Sequence, residues 1–257
     1  MKSELSRINH IDARKIIVWG CKAFENFECH FLKKYGDKQR LEGPLKSNGA
    51  ITAFGYAAAF PDPEMVASEV NFVKKLAREL SNHLPDSLIL FRPYPIVDKD
   101  LYLPLKNERN IEVVEIEGNI VDRYGDGREL IKYGTYDEKI NYLNGCDIFL
   151  SLGTSFSIEA SICRVPMIQL SISKNERNTW YERAIFERLD ISDHIQNYFV
   201  NQLRTAKSYA DLLKFIDSIL EDQGLYNDYE FQNKLGLPAN IHSINEDILK
   251  QKIDARE

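Results

Sequence analysis

From about residue 51 the apolar and polar positions of the chain switch between a strand-like and a helix-like period, and each switch marks an element. Ile51 to Ala59 is an apolar run holding Gly55, broken by Pro61-Asp62-Pro63-Glu64. Asp62 as N-cap with Pro63 at the first helical position opens a helix; Val66, Val70, Val73, Ala77 and Leu80 then give it one apolar face that ends near His83. Ser87 to Phe91 predicts a second strand and Ile111 to Ile116 a third. Thr135-Tyr136-Asp137-Glu138 has capping-box spacing and opens a short helix that Gly145 closes. Asp147 to Leu152 predicts a fourth strand, and Met167 to Ile172, after Pro166, a fifth. An amphipathic helix is predicted from Ala206 to Leu220 and another from Ile244. Before residue 51, Lys15 to Gly20 predicts one strand and Phe24 to Tyr35 one helix, too little for a separate domain.

Strands separated by helices, with runs apolar on both faces, predict an α/β fold: a parallel sheet covered by helices on both sides. The length of 257 residues allows one large core or two modest ones, and 44% hydrophobic with 28% charged residues is ordinary for a soluble globular protein. A net charge of −6 and a pI near 5.5 argue against nucleic acid as the main partner, leaving room only for local basic patches. Cys21, Cys29, Cys146 and Cys163 form no CxxC pair, which predicts reduced thiols rather than a disulfide or metal role. With no bilayer-length apolar run and no signal-peptide pattern, the expected location is cytoplasmic, any membrane association running through a partner.

In open α/β sheets ligands bind beyond the carboxyl ends of the strands. Gly153-Thr154-Ser155-Phe156-Ser157-Ile158-Glu159-Ala160 falls at such an end, between an apolar strand and a helix start. Small hydroxyl-bearing residues there, with free helix-terminal amides, suit an anion. Glu159 lies four residues after Ser155, one too many for a capping box, so the two share a face. A carboxylate beside a phosphate turn makes most sense as an acceptor for ribose hydroxyls, and the combination points to a nucleotide. The plainer alternative is that Ser and Thr merely cap the helix and Glu159 merely complements its dipole.

Arg92 in Arg92-Pro93-Tyr94-Pro95 follows the second strand directly and is placed for a phosphate, or equally for an ion pair with an acid such as Asp98. The Gly-rich loop from Asp122 to Gly127 is either a lid or, more simply, a solvated connector. Lys174 and Arg177 could meet phosphate, although an exposed loop is the simpler reading, and Trp180 and Tyr181 suit the core better than a base. Of the histidines, His83 suits a helix C-terminus, and none of His10, His30, His194 or His242 stands out as a base.

Leu90 to Pro95, then Asp147 through Ser151, Ser155, Glu159 and Ala160, then Pro166-Met167-Ile168, together resemble the C-terminal half of GT-B-type glycosyltransferases. The resemblance is to the bacterial surface and capsular polysaccharide enzymes related to CDP-glycerol glycerophosphotransferases. It covers about residues 51–172 and implies a Rossmann-like nucleotide-binding domain over 51–257, with 1–50 as the remnant and crossover of an N-terminal domain. It also implies a metal-independent transferase without a cofactor, whose substrate is a nucleotide-activated sugar or alditol. Gly153, Thr154, Ser155 and Ser157 would hold the donor phosphates, Glu159 the ribose, and Arg92 a phosphate. Tyr94 departs from the pattern, since relatives often carry a His near that point. The length departs as well, because a two-domain enzyme needs roughly twice the core and usually keeps its acceptor site and base in the other half. The catalytic residues are therefore unassigned, and a partner chain or homodimer is expected to supply the rest. Two alternatives stay open: a UDP-sugar 2-epimerase relative of the same architecture, or a non-catalytic or truncated nucleotide-binding module.

Overall fold

Alternation along three neighbouring strands decides how this molecule is layered. The computed structural model describes residues 22–36, 51–60, 62–95, 97–115, 119–122, 129–132, 135–172 and 204–221. Its elements in chain order are α1 (Lys22–Tyr35), β1 (Thr52–Ala57), α2 (Pro63–His83), β2 (Ser87–Arg92), a 3-10 turn (Lys99–Tyr102) and α3 (Leu103–Lys106). There follow β3 (Ile111–Val113), β4 (Asn119–Asp122), β5 (Glu129–Lys132), α4 (Tyr136–Asn144), β6 (Ile148–Ser151), α5 (Phe156–Ile162), β7 (Met167–Leu170), β8 (Thr205–Ala206) and α6 (Tyr209–Glu221).

Phe54 and Tyr56 of β1, Ile89 and Phe91 of β2, and Ile148 and Leu150 of β6 join one apolar cluster with α2 and α6. The residues between them project the other way. Ala57, Phe149 and Met167 meet Phe27 and Phe31 of α1, Ile140 and Leu143 of α4, and Ile158 and Ile162 of α5. A period of two that is apolar on both faces is the mark of a sheet buried on both sides. Gly55 lies on the second face, where a β-carbon would come within 2.6 Å of Cys146 Sγ and 2.9 Å of the Phe149 ring. Side-chain packing is what requires glycine there.

The six strands run in the order β3-β2-β1-β6-β7-β8, every pair parallel. From β1 the chain crosses through α2 on one face toward β2; from β6 it crosses through α5 on the other face toward β7. The order therefore reverses between β1 and β6, and in doubly wound sheets the crevice beyond that reversal is where ligands sit. At the opposite, amino edge, Asp147 clamps the same two strands. Its Oδ2 accepts from the Ala53 amide at 2.7 Å, and its own amide donates to Ala53 O at 2.7 Å.

The predicted α/β fold and each of the five predicted core strands are present, with differences that have physical causes. The third strand is shorter than predicted, Ile111–Val113, and pairs with Ile89 to Phe91 of β2. β4 and β5 form an antiparallel pair, with Asn119 opposite Lys132 and Asp122 opposite Glu129, and the Gly-rich loop between them, read from the sequence as a lid or a connector, lies outside the described residues. A sixth strand, β8, is only two residues long, too short for any sequence period. The helix starts were legible. Asp62 Oδ1 accepts from the amides of Glu64 and Met65 at 2.9 and 3.2 Å, and Thr135 Oγ1 accepts from the Glu138 amide at 3.2 Å. His83 ends α2 as predicted, with its ring 2.6 Å from Asp217 of α6. The strand predicted at residues 15–20, the helix from Ile244, His10, His194, His242, Lys174, Arg177, Trp180 and Tyr181 lie outside the described residues.

Candidate functional site

Alternation on β2 puts Arg92 on the same face as Leu90, toward α4 and α5, at the carboxyl edge of the sheet. The side chain is 5% exposed. Its Nη2 lies 3.7 Å from Glu138 Oε1 on α4, and its guanidinium carbon stands 5.0 Å from the centre of the Phe156 ring. Burial pulls its pKa down, against the pull of Glu138, Tyr142 and Glu159. The sequence allowed an ion pair with an acid such as Asp98; an acid does face Arg92, but it is Glu138. Asp98 caps the 3-10 turn through the Asp100 amide at 3.0 Å, while Arg92 reaches the helix that precedes β6. Arg92 Nη2 and Glu138 Oε1 each lack a hydrogen-bond partner, so the guanidinium keeps unused donor capacity.

Glu159 sits on the buried side of α5 and receives a 2.5 Å bond from Lys139 Nζ of α4. Desolvation raises its pKa, opposed by the Lys139 ammonium and then by Arg92. The Lys139 ammonium also lies 5.8 Å from the Phe156 ring centre, so both cations attend one aromatic ring. Tyr142 and Phe149 fix that ring from the side, at 5.8 and 5.6 Å between centroids.

The turn from Ser151 to Ser157 is built by its hydroxyls. Gly153 has φ +79°, a left-handed conformation that glycine adopts without strain, and its amide donates to Ser151 Oγ at 3.0 Å. Ser151 Oγ also lies 2.5 Å from Ser157 Oγ, so the Ser157 hydroxyl turns inward and is used within the turn. Ser155 holds the N-cap position of α5 but is exposed, has helical φ/ψ and makes no side-chain cap bond. The capping alternative for Ser155 is therefore not realised. Thr154 Oγ1 is buried without a hydrogen-bond partner.

Arg92 and Lys139 thus converge on Phe156, with Glu159 bonded to Lys139 and within the field of Arg92, and with Ser151 and Ser157 in the turn that leads into the same helix. Tyr94 goes elsewhere. Its ring packs against the α2-side cluster and its amide approaches the Tyr102 hydroxyl at 3.3 Å. Sequence reasoning missed Glu138 and Lys139 as site residues. A signal existed for Lys139, since it precedes Tyr142, Leu143 and Cys146 at helical spacing on a buried stripe, where a charge calls for a counter-charge. Among the histidines, His30 approaches Asp137 at 3.1 Å, beside Lys34 at 2.7 Å, which ties α1 to the first turn of α4. Among the described residues no group of three or more His, Cys, Asp or Glu side chains could hold a metal ion, and no helix is long and apolar enough to cross a membrane.

With this geometry in place, the comparison of folds is informative. The UDP-GlcNAc 2-epimerase of Neisseria meningitidis, solved with UDP-GlcNAc bound, superposes with TM-score 0.52 over 97% of this chain and 59% of its own, at 16% identity. The fold is Rossmann-like, of the GT-B type. The UDP-GlcNAc 2-epimerase of Methanocaldococcus jannaschii, in complex with UDP-GlcNAc and UDP, gives 0.49 at 19% identity over 85% of this chain and 51% of its own. The β-Kdo 2,7-transferase KpsC of Thermosulfurimonas dismutans gives 0.27 at 19% identity over 65% of this chain and 45% of its own. The chain spans about half to three-fifths of the length of these structures. No protein-family model matches the sequence, and no curated protein does.

Proposed function

We propose that this chain binds a nucleotide-activated sugar or alditol at the carboxyl edge of its sheet and serves as the donor-binding half of a GT-B-type transferase. The observation that carries the proposal is the convergence on the Phe156 ring of two cations, the buried Arg92 at 5.0 Å and the half-buried Lys139 at 5.8 Å, the second bonded to the buried Glu159 carboxylate, at the end of the sheet where the strand order reverses. Glu159 is an acceptor suited to ribose hydroxyls. Arg92 supplies a planar donor fork for phosphate, and Thr154 adds a hydroxyl with no partner. The chemistry would be electrostatic, with charge developing on the departing phosphate met by fixed donors. The acceptor and the base would come from a partner chain or from a second copy.

A second reading is a sugar-nucleotide 2-epimerase, favoured by the Neisseria superposition, since that protein was solved with UDP-GlcNAc. NMR of the full chain incubated with UDP-GlcNAc separates the two. Transfer to an added acceptor supports the transferase, while free UDP with a 2-epimer product supports the epimerase. Binding without turnover leaves a nucleotide-binding module, and failure to bind any of UDP, CDP, GDP or CMP as well as UDP-GlcNAc removes all three.

A further inference from the structure

Neither charged site residue is held by its own element, Arg92 ending β2 and Glu159 lying in α5. Both are held by neighbouring positions of one helix: Glu138 of α4 faces Arg92 at 3.7 Å, and Lys139 bonds Glu159 at 2.5 Å. Resting on the nucleotide-site reading above, we propose that Lys139 is a positioning residue: its ammonium fixes the Glu159 carboxylate, with its charge, as the acceptor at the carboxyl edge of the sheet.

The geometry is specific. Lys139 and Glu159 have side chains 17% and 10% exposed, so neither charge is well solvated and each needs the other. The other groups about Glu159 cannot replace the ammonium. Arg92 reaches it only through the field and is itself turned to Glu138. Tyr142 donates its hydroxyl to Leu90 O at 2.8 Å, and the Cys163 thiol, at the C-cap of α5, is held protonated by burial. Of the charged groups described on α1, His30 and Lys34 are committed to Asp137, Lys33 is exposed, and Glu28 carries the same sign as Glu159. β7 offers Met167, Ile168, Gln169 and Leu170, none of them charged. Without Lys139, burial would drive Glu159 toward its neutral form, which donates where an acceptor is needed. A carboxylate has room for more than one donor, so the ammonium and a pair of ribose hydroxyls can share it.

The test uses the full chain in two measurements, one of which needs no ligand. Carboxyl ¹³C NMR, with Glu159 assigned from E159Q, follows its titration in wild type, K139R and K139M. The midpoint should rise by about one pH unit or more in K139M and stay near wild type in K139R. Calorimetry with UDP should show K139M weakened at least about tenfold and K139R within about threefold. K139Q makes the same comparison if K139M does not fold. The proposal is overturned if Glu159 titrates alike in K139M and wild type, or if UDP binds K139M normally while E159Q loses it. If Glu159 follows Lys139 but wild type binds none of UDP, CDP, GDP or CMP, the charge coupling holds. The nucleotide reading on which the positioning role rests then fails, and that role fails with it.

Discussion

Glu159 concentrates the chemistry of this protein in one side chain. It is a carboxylate removed from water, kept useful by an ammonium and a guanidinium. Glu159→Gln keeps the shape, removes the charge and leaves Lys139 without its counter-ion. Losing one charged ribose contact should cost about 1.5–3 kcal/mol of nucleotide binding, roughly ten- to 150-fold in Kd by calorimetry. Because the folded-state pKa of Glu159 lies above its ordinary value, the folded protein takes up this proton at higher pH than the unfolded chain. Relative to E159Q, wild-type stability should therefore fall as pH rises from the ordinary carboxylate value through the folded-state one. Nucleotide affinity should move oppositely, being lost as pH drops through that same raised value. Denaturant melts and titrations of both proteins across pH 4–7, taken as differences, would check the two slopes. Gly55 acts at the same scale through packing. Gly55→Ala drives a methyl into Cys146 and Phe149, and overpacking of this kind should cost about 1–3 kcal/mol in urea unfolding.

At the scale of elements, the turn after β6 shows what a sequence tells and what it withholds. Its position between an apolar strand and a helix was plain, as was the placing of Glu159 in that helix. The division of labour among its hydroxyls was not, because Ser151, Thr154, Ser155 and Ser157 look alike in a sequence. Only the fold sends Ser157 inward to Ser151 and leaves Ser155 outside. The helix α5 is also just seven residues long, so its dipole is a smaller contributor than the sequence suggested, and the side chains around Phe156 matter more. Lys139 and Glu138 stayed hidden for a related reason. Their partners, Glu159 and Arg92, are about twenty and forty-six positions away, and only packing of α4 beside α5 and β2 joins them. Ser151→Ala should loosen the turn, stranding the Gly153 amide and the Ser157 hydroxyl. We expect a loss of about 1–3 kcal/mol in stability and faster hydrogen exchange at Gly153, measurable by NMR.

For the whole molecule, the layered plan was legible because strands apolar on both faces have few other solutions. The order of the strands was not, and that order places the crevice. Nothing local in Ile148–Ser151 says that it pairs with β1 rather than with β3; the Asp147 clamp on Ala53 and the apolar partners of Phe54 and Tyr56 decide it. The β4–β5 pair and β8 escaped because Asn119–Asp122, Glu129–Lys132 and Thr205–Ala206 hold no more than two apolar residues each, against three each in β6 and β7.

The central claim is that a nucleotide binds at the carboxyl edge of the sheet beside Arg92 and Glu159. It is tested most directly by calorimetric titration of wild type and Glu159→Gln with UDP, CDP, GDP and CMP. The account predicts that one of these binds wild type with Kd on the order of micromolar and binds the variant at least about tenfold more weakly. Equal binding to both proteins, or no binding of any nucleotide to wild type, would contradict it.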